Sequence, residues 1–150
     1  MTGARVIKSL SGGDRVFMTF NAGGTFAAGD FVKFDDSGEI VVATAGAGIL
    51  GVAMEAGVDG TDGVSVDVTS DMVVLMDNDN AADTFVSTDV GLCGDFTGGT
   101  GAMVMDTSSL SSTVAGLRCI AYNPQGYGSD SDTSVGLFYV CERELAEREL

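Results

Sequence analysis

The stretch FVKFDDSGEIVVATAGAGILGVAMEAGVDGTDGVSVDV, residues 31–68, decides the fold class of this chain. Short runs rich in valine and isoleucine are separated by clusters of aspartate, serine and glycine, a pattern typical of strands joined by tight turns. The turn residues 35–38, between FVKF and EIVVAT, predict a β-hairpin. In VSVDV, Val64, Val66 and Val68 alternate with polar residues and are expected to share one face of a strand.

The rest of the chain repeats this pattern of short apolar runs and turns. Residues 72–76, MVVLM, are apolar on both faces and predict a central strand. About ten short strands with turn signals between them indicate an all-β fold, either a compact β-sandwich or a small barrel, with long loops and flexible terminal arms. We expect an N-terminal arm or strand at 1–20, a β domain at 21–142 and a charged C-terminal tail at 143–150.

Charge is the strongest signal in the composition. The 150 residues include 22 acids, 7 bases and no histidine, for a net charge of −15, and neither lysine nor arginine occurs between Lys33 and Arg118. Such a surface repels phosphates, so we expect no direct binding of nucleic acid and none of anionic membranes. The N-terminal residues lack the apolar core of a signal peptide, which predicts a protein made in the cytoplasm. No apolar run approaches the roughly 20 residues that span a bilayer.

A literal G-x-G-x-x-G, formed by Gly46, Gly48 and Gly51, invites a nucleotide-binding hypothesis. Asp67 follows at about the distance of a ribose-binding carboxylate. That motif requires a helix whose N-terminus holds the pyrophosphate. The following residues 52–63 contain three more glycines, and each interior glycine costs a helix about 1 kcal/mol. We therefore predict a turn that leads into a strand, and no cofactor.

Three aspartate-rich loops invite a calcium hypothesis: 57–63, 77–83 and 128–134. The loop at 77–83 begins like an EF-hand but has Ala81 and Ala82 where an oxygen ligand and the turn glycine are needed. Aspartate beside glycine is equally common in hairpin turns. Solvated loops without a specific metal site are the prediction, and a weak calcium site in one of them is the alternative.

Catalytic chemistry has few candidates in this sequence. There is no histidine to activate a serine or cysteine, and no G-x-S-x-G. Cys93, Cys119 and Cys141 lack the C-x-x-C spacing of redox or metal sites and each lies in a predicted strand, which favours buried, reduced thiols. We expect a protein that is not an enzyme and has no catalytic residues.

The N-terminal segment differs in charge from the rest of the chain. It carries Arg5, Lys8 and Arg15. Two interpretations are open: these residues are simply the solvated ends of a strand, or they belong to an arm that docks on an acidic surface of another protein or another copy. They are our candidate partner contacts.

The order of hairpins in the central part of the chain carries a resemblance. Gly-Asp at 29–30 enters a strand, Asp-Ser-Gly at 36–38 forms a hairpin, and an alanine-rich turn follows at 43–48. I-L-G-V-A at 49–53 and V-S-V-D-V at 64–68 complete the series. This arrangement resembles the small β-rich head decoration, or capsid cement, proteins of tailed bacteriophages.

The resemblance implies a structural protein of the virion, made in the host cytoplasm and located on the capsid exterior. It would bind the outer surface of an assembled capsid and bridge neighbouring subunits of the major capsid protein, often as a homotrimer. The alternative is another virion or surface β module, such as a tail, fibre or carbohydrate-binding adhesin domain, in a calcium-dependent form if an aspartate-rich loop binds the ion.

Overall fold

The protein is all-β. The computed structural model describes residues 3–79, 85–113, 115–122 and 134–141, and in that part of the chain the regular structure is strands and two short 3-10 turns. The strands are β1 Arg5–Ser9, β2 Phe17–Phe20, β3 Phe31–Phe34, β4 Ile40–Val42, β5 Gly51–Ala53, β6 Val64–Asp67, β7 Met72–Asp77, β8 Cys93–Gly94, β9 Phe96–Thr97, β10 Val104–Met105, β11 Leu117–Tyr122 and β12 Val135–Val140.

The strands form three antiparallel sheets. The first sheet has the order β1-β7-β12-β11-β8, the second has the order β2-β6-β5-β3-β4, and β9 pairs with β10 in a small third sheet. The described sheets are open and pack as a compact sandwich. Of the two architectures that the sequence allowed, the sandwich is therefore the one observed. The predicted tail at 143–150 and most of the loop after β11 lie outside the described residues.

The second sheet is covered on both faces. Phe31 and Val52 belong to a core shared with the first sheet, whereas Val32 and Ala53, their chain neighbours, belong to a second core. Because successive residues of a strand point to opposite faces, the two cores lie on opposite sides of this sheet. The segment 21–30 contributes buried side chains to the second core, including Phe26.

The hairpin predicted at residues 31–42 is confirmed. Val32 pairs with Val42, and Phe34 pairs with Ile40. In the connecting turn, the Asp35 carboxylate accepts hydrogen bonds from two backbone amides, those of Ser37 at 2.8 Å and Glu39 at 3.0 Å. This aspartate satisfies donors that the tight turn would otherwise leave without partners.

The central-strand prediction for residues 72–76 is also confirmed. Strand β7 lies between β1 and β12, and Met72 to Met76 are all buried. Val64, Val66 and Val68 are buried together in the second core, as their alternation predicted. Residues 90–97 are divided between two sheets: β8 pairs with β11, and β9 pairs with β10.

The glycines of the G-x-G-x-x-G serve a turn and a strand. Gly46 has a φ of 79° in a turn in which the Ala47 amide donates to the Thr44 carbonyl over 3.1 Å. Gly51 begins β5, and residues 44–79 contain no helix. A Cβ atom at Gly51 would overlap the carbonyl oxygen of Asp67 on β6. Close approach of two strand backbones therefore requires this glycine.

Candidate partner-binding surface

The first twenty residues supply an edge strand to each large sheet, and the candidate partner contacts lie there. Arg5 and Lys8 are exposed residues of β1, the edge of the first sheet, and Arg15 lies just before β2, the edge of the second. Arg5 and Arg15 line one open cleft of about 340 Å³, together with residues 28–29 and 52–54. Lys8 lies further along β1 and does not line the cleft.

Arg15 is held by a buried carboxylate. Its Nη2 lies 2.7 Å from Oδ2 of Asp67, and its Nε donates to the same oxygen over 2.8 Å. Asp67 is completely buried, and its second oxygen accepts from the Thr69 amide at 3.0 Å and from the Thr69 hydroxyl at 2.6 Å. A buried charge is stable only when it is paired and hydrogen-bonded, and both carboxylate oxygens meet that condition here.

The sequence did not predict that Asp67 is buried. Phe31, Val52, Asp67 and Phe17 stand opposite one another across β3, β5, β6 and β2, so their side chains share one face of the second sheet. That face is the one turned toward the first sheet. Alternation in VSVDV identified the polar face of β6 correctly but could not show that another sheet covers it. No local pattern pairs Asp67 with Arg15, 52 residues earlier.

An apolar surface adjoins this ion pair on β2. Val16, Phe17 and Met18 are consecutive, and they remain 48%, 51% and 47% exposed. The Arg15 guanidinium carbon lies 5.1 Å from the centre of the Phe17 ring, a cation–π contact. Asp67 therefore positions Arg15, and Arg15 in turn positions an exposed aromatic ring. The sequence predicted this strand but gave no sign that its apolar residues stay exposed.

Arg5 and Lys8 differ from Arg15 in their partners. Neither forms an ion pair with a described residue. Their charges are available to another molecule, whereas much of the Arg15 charge is used inside the fold. Of the three predicted contact residues, two are thus surface cations, and the third is chiefly a structural one.

The cysteines are free thiols, of which Cys93 and Cys119 are buried. Burial, assisted by the nearby Asp89 carboxylate, raises the pKa of Cys119 to about 11. Burial, together with the neighbouring Cys93, also raises the pKa of Cys141, although Arg118 opposes that shift. The nucleophilic thiolate form is therefore scarce at neutral pH for both groups.

The raised pKa of Cys119 predicts a loss of stability in alkaline solution. The unfolded thiol, with its ordinary pKa of 9.0, ionises at a lower pH than the folded one, so the unfolded state gains stability as pH rises from 9 to 11. Over that range we expect wild type to lose about 2 kcal/mol more unfolding free energy than Cys119→Ala. Urea unfolding at several pH values measures how the unfolding free energy of each protein depends on pH. The same pH dependence in wild type and Cys119→Ala would contradict the prediction.

The described residues of the aspartate-rich loops show no metal-binding geometry. Within 3–79, 85–113, 115–122 and 134–141, no three His, Cys, Asp or Glu side chains are grouped to hold an ion. Asp59 and Asp62 are exposed in the turn before β6. Residues 80–83 and 128–133 of the other two loops lie outside the described part.

In the described part of the chain, no helix is long and apolar enough to cross a membrane. In the comparisons with known proteins, no protein-family model, curated protein or solved structure matched this chain.

Proposed function

We propose that this chain is a structural protein of a tailed-phage virion. It binds the outer surface of an assembled capsid and stabilises the shell by bridging neighbouring subunits of the major capsid protein. It acts without a catalytic site or a cofactor, and its partners are the shell protein and further copies of itself, with the homotrimer as the expected assembly on the shell.

The observation that carries this proposal is the series of hairpins at residues 29–68. The segments that carry the resemblance become β3, β4, β5 and β6, four neighbouring strands of the second sheet. The Gly29-Asp30 pair lies directly before β3, where Asp30 is buried and accepts from the Ala27 amide at 2.9 Å. The quoted residues thus belong to one structural unit, which supports the resemblance as more than a set of scattered turns.

The charge distribution supports the choice of surface. A chain with a net charge of −15 presents Arg5 and Lys8 on one edge strand, with no ion-pair partner among the described residues. Such a site is complementary to carboxylates on a shell subunit. Each contact is weak alone, but several copies on one shell combine weak contacts through high effective concentration.

Charge reversal at Arg5 or Lys8 tests this surface. We expect Arg5→Glu and Lys8→Glu each to weaken binding to expanded heads about ten-fold at low salt, because each replaces an attraction by a repulsion. The difference from wild type should shrink as salt screens the contact. Co-sedimentation with expanded heads that lack the protein, at several NaCl concentrations, measures both effects.

Lys33→Glu is the matched control because it makes the same change of charge on β3 of the second sheet, whereas Arg5 and Lys8 lie on β1 of the first. It should bind nearly as well as wild type. Equal losses for all three variants would show that only net charge matters. If wild type did not sediment with heads at all, the proposed function itself would be wrong. Arg15 is not used in this test, because its replacement also breaks the ion pair with Asp67.

A further inference from the structure

We infer that two copies of this chain pair along strand β2, edge to edge and antiparallel, about a two-fold axis at Met18. This inference goes beyond the proposed function, and it does not require a capsid. It rests on four features of β2: its free edge, its exposed apolar residues, its lack of charge and its self-complementary register.

In the part of the chain that the structure describes, no strand pairs with the outer side of β2. The Val68 amide donates to the Val16 carbonyl over 2.8 Å, so Val16 faces β6. In an antiparallel ladder, the backbone N–H and C=O groups of successive residues point alternately toward the partner strand and away from it. The backbone groups of Met18 and Phe20 therefore also point toward β6, whereas those of Phe17 and Thr19 point outward. The amide and carbonyl of Ser65, opposite Thr19, agree with this register: they bond to Glu55 and Met54 on the other side of β6.

The exposed apolar side chains of β2 favour association at this edge. Val16, Phe17 and Met18 are each about half exposed. A free edge with exposed apolar residues is a template for another strand, and natural proteins usually protect such an edge with lysine, proline or a bulge. None of these devices occurs in residues 16–20. Phe17 is also held in place by Arg15, which lowers the entropy lost when a partner packs against its ring.

Charge makes β2 a favourable place for a second copy to approach. Two molecules with a net charge of −15 each repel one another over most orientations. Residues 16–29 contain no charged side chain, and the adjacent Asp67 carboxylate is buried against Arg15. Two copies that meet along β2 therefore bring together uncharged strands instead of opposing carboxylates.

The register is self-complementary. Antiparallel pairing about Met18 places Phe17 opposite Thr19 of the second copy, and Thr19 opposite its Phe17. Both residues direct their backbone groups outward, so about four hydrogen bonds join the strands. On one face of the paired strands, Met18 lies beside Met18 of the second copy, and Val16 lies beside Phe20 of the second copy. The contact is isologous, so it joins copies in pairs and cannot by itself close a three-fold ring.

Sedimentation velocity of the purified full chain tests this pairing. We expect wild type to show a dimer whose fraction rises with protein concentration. It should also rise with NaCl, because salt screens the repulsion between two acidic chains. This salt response is opposite to that expected for head binding through Arg5 and Lys8, so each result identifies which of the two proposals fails.

Two sets of variants locate the contact. Thr19→Pro removes an outward N–H and should weaken dimerisation at least about ten-fold, whereas Thr19→Ala keeps that donor and should dimerise like wild type. Met18→Glu and Met18→Lys should each be monomeric, because like charges would meet at the axis, and an equimolar mixture of the two should form a heterodimer. Met18 is half exposed, so these variants test the contact even if Thr19→Pro fails to fold.

The inference is overturned if wild type is monomeric at every concentration and salt. It is equally overturned if an oligomer, trimeric or otherwise, persists unchanged in the Met18 variants. Recovery of dimer in the mixture of Met18→Glu and Met18→Lys would establish the two-fold register directly.

Discussion

Replacing Arg15 with leucine should lower the free energy of unfolding by about 3 kcal/mol. The substitution leaves the fully buried carboxylate of Asp67 without a cation, and both the 2.7 Å ion-pair contact of Nη2 and the 2.8 Å hydrogen bond from Nε are lost. The effect should lie near the lower end of the range for broken buried pairs, because the Arg15 side chain is 35% exposed and water reaches part of the site. Urea unfolding followed by circular dichroism measures the change.

Replacing the other partner of the ion pair, Asp67, should lower the free energy of unfolding by less than Arg15→Leu does. The difference between the two substitutions tests the buried charge. In Asp67→Asn, the side-chain oxygen can still accept from Thr69, and Arg15 can turn into solvent, so we expect a loss of about 2 kcal/mol. The double variant should lose little more than Asp67→Asn alone, because no buried charge then remains. Arg15→Lys is the matched control and should lie between wild type and Arg15→Leu. Strict additivity of the two single changes would contradict a direct, buried ion pair.

Replacing Gly51 with alanine should cost about 3 kcal/mol or more. The new Cβ would overlap the Asp67 carbonyl oxygen and would lie 3.0 Å from both the carbonyl carbon and a methyl group of Val66. Because the obstructing atoms are mostly backbone atoms, the overlap can be removed only if β5 and β6 move apart. These strands lie in the middle of the second sheet, and that sheet belongs to both cores. A large drop in the urea midpoint is the expected result.

Gly46→Ala provides the comparison within the same motif. No atom lies within 4 Å of a Cβ at this position, and the cost should be about 1 kcal/mol, arising only from the φ of 79°. If these glycines served a phosphate instead, Gly51→Ala would abolish nucleotide binding and leave stability nearly unchanged. A small effect at Gly51 would therefore refute the packing explanation, whatever happens at Gly46.

Much of the fold could be predicted because its signals are local. The hairpin at residues 31–42 has its turn residues and both strands within one short segment, and the β7 strand is apolar on both faces. The valines of β6 identify a buried face by their spacing alone. Each of these predictions depends on alternation or turn chemistry between near neighbours.

The site could not be predicted in the same way because its contacts are distant in sequence. Arg15 was correctly identified as unusual in charge, but its partner lies on β6, in a position that alternation describes as merely polar. The exposed state of Phe17 and Met18 depends on where β2 ends up in the sheet order, and composition does not determine an edge. Whether a predicted strand becomes part of the exposed surface therefore depends on pairing between residues that are distant in sequence.

The position of β12 has a consequence for synthesis on the ribosome. All five strands of the second sheet lie between residues 17 and 67, so this sheet can assemble while the rest of the chain is still being translated. The first sheet cannot, because β12 is made last yet lies between β7 and β11. Until Val140 emerges, the apolar strand β7 has no neighbour on one side. The nascent chain therefore leaves one side of this buried, apolar strand open until β12 is made, and a C-terminal truncation that removes β12 should yield insoluble protein.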